Sequence, residues 1–403
     1  MDALHFDALT RVLAASSSRR RLAGLLAAGT GGLAVGFAGE PTEAKKKRRK
    51  KKKRKTCKPE PAAQTCAGRC GSVANNCQQA VACGACVCPS GCGVCREDGS
   101  CVCAPSPCAN PTPLCRGGVC TACTATSQCP AGSLCHAGGC HPCDVTCEGD
   151  GQTCGDQLRG KLGPSVLYVC PGVYQGPFEL GSSKLIGAGQ GTNPRADTIL
   201  DGQESSRVVV VSAAATAELR HLRVTGGLAD DDQGGGGGIL NLGDLTVTDC
   251  TIAQNHAGVF GGGGVDTIAP GVLTMANCTI SENTATGGGG GIIANGPAML
   301  TDCEITDNAA GEGYAGGGVV LNQLGPVTLT NCTVADNTAT VDGGIVVACQ
   351  STRLRLNLNG GSVTGNTAAD IGNCGELSVT NGTTIGSCLD QGTGCGCPAG
   401  TAC

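Results

Sequence analysis

The chain has 403 residues, including 68 Gly and 32 Cys, with no Trp and only 2% aromatic residues. This composition excludes an ordinary globular enzyme with a bulky aromatic core and requires a thin core of aliphatic and cysteine side chains. The net charge of −4 hides two opposite parts: residues 45–55 are all basic, while residues 56–403 carry 13 Lys and Arg against 28 Asp and Glu.

Residues 1–44 have the features of an export signal. Arg19 and Arg20 lie in a polar, basic start, the apolar stretch 22–38 follows, and small residues precede a cleavage point near Ala44. The apolar stretch is too short and too rich in Gly to span a membrane. The two arginines resemble the twin-arginine signal of bacteria, but the residues after Leu22 depart from it. The general secretory route and an uncleaved amphipathic helix stay open.

The basic run Lys45–Lys55 predicts an unstructured linker, because like charges repel one another. Its functional interpretation is electrostatic attachment to an anionic cell-wall polymer or to a membrane surface. Nucleic-acid binding is a third interpretation of such a run. It conflicts with the export signal and with the cysteine content, so we expect no nucleic-acid partner.

Residues 56–159 form a cysteine-rich region without apolar periodicity. Cys57 to Cys154 contains 21 of the cysteines, which predicts disulfide bonds formed in an oxidising compartment and therefore a secreted protein associated with the cell envelope. Two CxxC pairs, at 83–86 and 92–95, would also suit a structural zinc ion. The many other cysteines nearby favour disulfides over zinc.

Residues 160–387 contain a repeat with a period of 25 to 29 residues, typified by LTVTDCTIAQN at 245–255. Such a period, built from short alternating strands and Gly-rich turns, predicts a solenoid of stacked β-coils. An Asn recurs in five repeats and a Cys in four. The predicted Asn ladder comprises Asn255, Asn283, Asn308, Asn337 and Asn366, and the predicted Cys column comprises Cys250, Cys278, Cys303 and Cys332.

Within one repeat, alternation places Leu245, Val247, Cys250 and Ile252 inside the coil and the threonines between them outside, with Asp249 at a bend. The Asn side chains are expected to hydrogen-bond along the stack at a corner and to serve structure. The Cys side chains are interpreted as buried thiols, although coil spacing would also permit disulfides.

A third column, four residues after each Cys, contains Gln254, Glu282, Asp307, Asp336 and Gly365. Three carboxylates on successive coils repel one another unless a cation or a proton lies between them, so Glu282, Asp307 and Asp336 form a candidate calcium site. Paired carboxylates also suit a retaining glycosidase. A solvated acidic stripe explains the same pattern, and calcium is the single cofactor that the sequence suggests.

The entry to the repeat carries PGVY (171–174), IGAG (186–189) and TILDG (198–202). With the Asn ladder, these motifs resemble the pectin-lyase-like, right-handed parallel β-helix superfamily, in which they mark successive corners of the first coils. The resemblance covers about residues 160–390 and implies an all-β, single-stranded parallel β-helix, with the Cys-rich segment 388–403 as its terminal cap. It implies little about function, because this fold serves enzymes, adhesins and fibres alike.

The sequence is compatible with two functions, a scaffold and a carbohydrate-active enzyme. Enzymes of this fold that cleave acidic polysaccharides use a cationic base, but no Lys or Arg occurs between Arg223 and Arg353. The leading interpretation is therefore a non-catalytic secreted or cell-surface scaffold of the adhesion type, with a glycan as a possible ligand and no catalytic residue assigned. The alternative is a polysaccharide hydrolase with acids drawn from Glu282, Asp307 and Asp336, or a lyase using Arg220, Arg223, Arg353 or Arg355.

Overall fold

The computed structural model describes residues 122–230, 234–259, 261–322, 325–348, 354–373 and 375–390, together with six short strands upstream. The chain divides into two compact units, Met1–Val102 and Cys103–Cys403. In the first unit, Ser72–Ala74 pairs with Ala80–Ala82 and Val94–Cys95 pairs with Cys101–Val102, both antiparallel.

Several predictions from the sequence lie outside the described residues. They are the export signal 1–44 with Arg19 and Arg20, the basic run Lys45–Lys55, the two CxxC pairs, Arg353, and the cap after residue 390. Among the residues that are described, no helix is long and apolar enough to cross a bilayer.

The first strands described in the second unit form two antiparallel hairpins, and disulfides stabilise the second of them. Leu114–Arg116 pairs with Val119–Thr121, and Ser133–His136 pairs with Gly139–Pro142 after a 3-10 turn at Thr126–Gln128. Four disulfides are present in this part, which agrees with the cross-linked region expected from the sequence: Cys123–Cys135, Cys129–Cys140, Cys143–Cys170 and Cys147–Cys154. The sulfurs of Cys123, Cys129 and Cys140 lie close together, but they are bonded in disulfides and offer no thiolate to a metal ion.

One helix, α1 (Gly151–Arg159), closes the open end of the first coil. Asp150 caps it by accepting a hydrogen bond from the Thr153 amide at 2.8 Å. Cys154 and Leu158 are fully buried in the core of the solenoid, and Arg159 donates to the Gln175 carbonyl at 2.6 Å. The sequence analysis did not predict this helix.

The solenoid consists of three parallel sheets, each with nine strands in the described part of the chain. Sheet I contains Val166–Tyr168, Lys184–Ile186, Thr216–Arg220, Asp244–Thr248, Val272–Ala276, Ala298–Thr301, Pro326–Thr330, Arg355–Asn359 and Glu376–Thr380. Sheet II contains Gly172–Gln175, Thr198–Asp201, Arg223–Thr225, Thr251–Ala253, Thr279–Ser281, Glu304–Thr306, Thr333–Ala335, Ser362–Thr364 and Thr384–Ile385.

Sheet III contains Phe178–Glu179, Val209–Val211, Ile239–Asn241, Val265–Ile268, Ile292–Asn295, Val319–Leu321, Ile345–Val347, Ile371–Asn373 and Cys388–Asp390. A short sheet IV of four strands lies between sheets II and III in chain order: Leu228–Ala229, His256–Ala257, Thr284–Ala285 and Ala309–Ala310. Each coil therefore visits sheets I, II and III in turn, and this is the predicted all-β parallel β-helix.

Equivalent residues of successive coils pair one to one, so side chains of the same kind form columns. Leu245 pairs with Leu273 and Ile252 with Ile280, and all four side chains are at most 1% exposed. Asp249 lies between sheets I and II with a φ of 52°, as a bend requires. The inward set expected for this repeat is therefore the observed core.

The first coils differ from the expectation based on the resemblance. The residues GVYQ and TILD are not corners: they form strands Gly172–Gln175 and Thr198–Asp201, which pair with each other in sheet II. Tyr174 and Leu200 point into the core and are fully buried. Alternate residues of a strand face opposite sides, so an extended backbone turns Tyr174 and Leu200 toward the core and the residues next to them toward the other face.

Candidate functional site

The repeated asparagines form a continuous ladder inside the corner after sheet II. From one coil to the next, each Nδ2 donates to the following Oδ1, at 2.9 Å from Asn255 to Asn283, 3.0 Å to Asn308, 2.9 Å to Asn337 and 2.9 Å to Asn366. Each backbone amide donates to the same oxygen at 3.0 to 3.1 Å. The first four side chains are at most 1% exposed, so the ladder is occupied by its own hydrogen bonds and is not available to a ligand.

Asp370 terminates the ladder. Its Oδ1 accepts from Asn366 Nδ2 at 2.8 Å and from the Asn366 amide at 2.9 Å, while its Oδ2 accepts from the Ser387 amide at 2.7 Å. The side chain is 4% exposed. The sequence analysis missed this residue, because it lies outside the repeated motif and follows the last Asn by only four positions.

The four cysteines of the column are buried free thiols, at most 3% exposed. Each sulfur lies 3.2 to 3.4 Å from the carbonyl two residues before it. Burial raises the pKa of Cys250 to about 12, so this thiol is protonated at neutral pH and is a poor nucleophile. All four side chains of the column pack in the core of the coils.

The column of Gln254, Glu282, Asp307, Asp336 and Gly365 lies on the outside of the same corner, where all five residues are exposed. Their φ angles are 60°, 56°, 56°, 55° and 76°, in the left-handed region that favours Gly, Asn and Asp. A turn of this conformation is therefore one physical reason for short polar residues here.

In the structure, the carboxylates of Glu282, Asp307 and Asp336 do not converge on one position. In the part of the chain that is described, their oxygens do not all lie within 4.8 Å of one another. Calcium binding by this column stays a prediction, which thermal melts in millimolar calcium and in chelator will test.

A groove opens beside the first of these corner residues, and we call it the corner groove. It has a volume of about 660 Å³ and is lined by Asp201, Gln203, Glu204, Thr225, Gly226 and Gln254. The strands Thr198–Asp201 and Arg223–Thr225 end at this groove and position its side chains. The sequence analysis did not find it, because all its lining residues except Gln254 belong to two early coils that match the repeat poorly.

Arg223 does not line the corner groove but contacts Gln254, which does. Arg223 Nη2 donates to Gln254 Oε1 at 3.3 Å, and Gln254 Nε2 donates to Glu282 Oε2 at 2.9 Å. Burial lowers the pKa of Arg223, and the carboxylates of Glu282 and Asp197 act in the opposite direction. Arg220 and Arg355 instead pair with Glu218 and Glu376 on sheet I, at 2.9 and 2.6 Å.

The outer face of sheet I is a regular polar surface. One row across the coils is Thr246, Thr274, Met299, Thr328, Asn357 and Ser378, and a second row is Thr248, Ala276, Thr301, Thr330, Asn359 and Thr380. Parallel strands lie about 4.8 Å apart, so hydroxyl and amide groups recur at that interval except where Met299 interrupts the first row and Ala276 the second. The face is partly solvent-accessible and continues over six coils.

A buried acidic residue lies under the Gly-rich segment at 234–238. Asp266 is 2% exposed and accepts from Asn295 Nδ2 at 3.0 Å, while Arg207 donates to the carbonyls of Gly235 and Gly236, both at 3.0 Å. Burial raises the pKa of Asp266 to about 7, against the lowering effects of the Asn295 hydrogen bond and the Arg207 charge. A Cβ on Gly235 would lie 2.3 Å from Asp266 Oδ2, so glycine is needed there.

Comparison with known proteins supports the architecture. Residues 208–388 match the family described as right handed beta helix region. No curated protein matches the chain, and neither does any solved structure. The family match and the stacked sheets together support a right-handed β-helix over this segment.

Proposed function

We propose that this chain, whose residues 208–388 form a right handed beta helix region, is a non-catalytic scaffold of the adhesion type that is secreted or carried on the cell surface. The finer assignment, to the pectin-lyase-like superfamily of bacterial secreted proteins, is part of the same proposal. The observation that carries it is the outer face of sheet I, where two rows of mostly polar side chains lie in register over six coils, interrupted by Met299 in one row and Ala276 in the other.

The repeat supports this proposal because its inward residues already have structural partners. The Asn side chains bond to one another and the Cys side chains fill the core. The outward hydroxyls of Thr246, Thr274 and Thr328 lie in one row instead, with Met299 on the coil between Thr274 and Thr328. A linear glycan also repeats along its axis, so one polymer chain could make the same weak contact at many coils and gain affinity through multivalency.

The basic run and the acidic remainder of the chain would bind different kinds of polymer. The acidic remainder, with 28 Asp and Glu against 13 Lys and Arg, disfavours a polyanion on the coils and favours a neutral glycan. An anionic cell-wall polymer or membrane surface would instead be held by Lys45–Lys55, at about 1 kcal/mol per basic residue near an anionic surface.

The four disulfides support an oxidising compartment and hence export. The twin-arginine-like Arg19 and Arg20 make the folded-state export route the one we propose. Replacing both arginines with Lys in the bacterial host would abolish export by that route, and unchanged secretion would show that the general route is used.

Sedimentation with insoluble neutral polysaccharides tests the binding face. The variant Thr246→Lys/Thr274→Lys/Thr328→Lys places three long cations on the outer face of sheet I, and we expect the bound fraction to fall at least tenfold. The matched control Thr251→Lys/Thr279→Lys/Thr333→Lys changes the outer face of sheet II on the same coils and should bind like the wild type. Equal loss in both variants, or in neither, would contradict the assignment of the face.

The basic run needs a separate test with anionic vesicles or anionic wall polymer. Deletion of residues 45–55 should remove binding at low salt, and the wild-type binding should weaken steeply as salt rises. Binding that is unaffected by the deletion would place the attachment elsewhere.

The corner groove favours a second candidate, a carbohydrate-active enzyme. Asp201 and Glu204 line it, and the contacts from Arg223 through Gln254 to Glu282 bring a cation and a further carboxylate to its edge. Purified protein should be assayed against a panel of polysaccharides with and without calcium. Turnover that Asp201→Asn, Glu204→Gln or Asp307→Asn abolishes would replace the scaffold proposal with a hydrolase or lyase.

A further inference from the structure

Three of the five histidines in the chain cluster at the start of the solenoid, and two of them, His136 and His141, lie beside Tyr168. The ring centroid of His136 lies 5.7 Å from that of His141 and 6.0 Å from that of His221. Tyr168 stacks on His141 with a centroid distance of 4.1 Å and lies 6.1 Å from His136. None of these residues takes part in the ladder, the corner groove or the outer rows of sheet I.

The fold brings these residues together from distant parts of the sequence. His141 pairs with Leu134 across the hairpin, so His136 and His141 project from the same face of the hairpin, while Cys135 and Cys140 alternate onto the other face. His221 lies at the corner after strand Thr216–Arg220.

The hairpin is fixed against the first coil by covalent and hydrogen bonds. The Cys143–Cys170 disulfide joins the two, and the Asp144 amide donates to the Tyr168 carbonyl at 2.8 Å. The Tyr168 amide donates in return to Asp144 Oδ2, also at 2.8 Å. The positions of the histidines are therefore set by the cross-linked scaffold.

Two ring nitrogens in this cluster are buried and have no hydrogen-bond partner, His136 Nδ1 and His141 Nε2. A buried polar atom without a partner is costly, and a bound ion or group would remove that cost. Burial also lowers the pKa of His136, His141 and His221, which favours the neutral imidazole that coordinates metal ions.

Both acidic and basic side chains lie near the three histidines. Asp249 Oδ2 lies 3.6 Å from His221 Nε2, and Glu218 lies near His136. Arg220 is the opposing cation, but its guanidinium already donates to Glu218 at 2.9 Å. The carboxylate of Asp249 can therefore help to balance a divalent ion at the His221 side.

We propose that His136, His141 and His221 bind one divalent transition-metal ion, of which Zn²⁺ is the type, and that the ion clamps the disulfide hairpin to the first coils. Two imidazoles on one tetrahedral zinc ion, with Zn–N bonds of about 2.0–2.1 Å, have ring centres about 5 Å apart. The observed separations of 5.7 and 6.0 Å are slightly wider.

Closure of the site needs a small movement. In the described part of the chain, the ligand atoms of the three histidines do not all lie within 4.8 Å of one another. The His221 side chain is 40% exposed, and the proposal requires this ring to turn toward His136. Imidazole ligands favour transition-metal ions over calcium and magnesium, which prefer oxygen ligands.

Titration of the full oxidised chain with Co²⁺ and Zn²⁺, without an affinity tag, tests the proposal. We expect one ion bound per chain, a Co²⁺ spectrum without sulfur ligation, and at least a tenfold loss of affinity in His136→Gln and in His141→Gln. The control His256→Gln removes a histidine on sheet IV whose Nδ1 lies 2.8 Å from Thr284 Oγ1, and it should bind like the wild type.

A second readout separates binding from misfolding. Zinc should raise the melting temperature of the wild type and of His256→Gln, but not that of a His136→Gln or His141→Gln protein with the same far-UV spectrum and disulfide content as the wild type. The proposal is overturned if the wild type binds no ion, if a cobalt spectrum of thiolate type survives both substitutions, or if His256→Gln loses binding equally.

Discussion

Asn308 lies in the middle of the ladder, and its replacement by Ala measures what the ladder contributes to stability. Its Nδ2 donates to the carbonyls of Ile280 and Thr306 at 2.8 and 3.0 Å and to Asn337 Oδ1 at 2.9 Å. Its Oδ1 accepts from the amide and the Nδ2 of Asn283 at 3.1 and 3.0 Å. Truncation to Ala breaks all five hydrogen bonds inside a fully buried corner.

The magnitude follows from these contacts. Each hydrogen bond contributes about 0.5–1.5 kcal/mol net, and a buried group left without a partner costs about 1–3 kcal/mol. The backbone amide of Asn283 would be such a group, because Asn308 Oδ1 is its acceptor. We therefore expect Asn308→Ala to lower the free energy of unfolding by about 3–5 kcal/mol.

Urea unfolding followed by far-UV circular dichroism will measure this loss, with the oxidised protein throughout. The control Asn357→Ala removes an Asn on the outer face of sheet I that donates only to Thr328 Oγ1, at 3.2 Å, and it should cost less than about 1 kcal/mol. A loss below about 1 kcal/mol for Asn308→Ala would refute the reasoning, since the ladder would then be replaceable by water.

Three further predictions concern single residues. Asp266 has a pKa raised from 3.8 to about 7, so folding takes up a proton between these two pH values. Its contribution to stability is therefore greatest below about pH 4 and is lost as pH rises toward 7, and the difference in unfolding free energy between the wild type and Asp266→Asn, from urea melts, should fall over that range. Asp307 has a φ of 56°, so the variant Asp307→Gly should be more stable than Asp307→Ala by about 1 kcal/mol. In the strand at Glu304, the variant Glu304→Ala should instead be more stable than Glu304→Gly. Equal stabilities of the two Asp307 variants would contradict the left-handed corner. Cys143→Ser/Cys170→Ser opens a cross-link between residues 27 apart and should cost about 3–4 kcal/mol, while a negligible change in chemical unfolding would mean that the hairpin is held by other contacts.

The coil architecture could be predicted from the sequence because one physical constraint repeats. Each coil must bury the same inward positions against its neighbours, so Leu245, Cys250 and Ile252 recur with little variation. The corner residues recur for a similar reason, since only a few residue types accept the left-handed conformation at Gln254 and its equivalents.

The features that the sequence analysis missed occur once and depend on long-range contacts. Helix α1 buries only Cys154, Gly155 and Leu158, too few positions to show a helical period, although the cap at Asp150 was a usable signal. The histidine cluster depends on disulfide pairing, which spacing alone does not determine. Most residues of the corner groove, and Asp370, lie outside the regular repeats, in the early coils and near the end of the described solenoid respectively.

The ladder that ends at Asp370 has a direction. Every side-chain amide points its N–H toward the carboxyl-terminal end, so the small dipoles of five residues add, and the carboxylate of Asp370 lies at the positive end of their sum. Asp370 is 4% exposed, and its two oxygens accept from Asn366 and Ser387, so the last amide of the ladder finds its acceptor inside the chain. The ladder therefore ends within the protein with its final donor paired, and a neutral residue in place of Asp370 would leave the positive end of these dipoles without a countercharge.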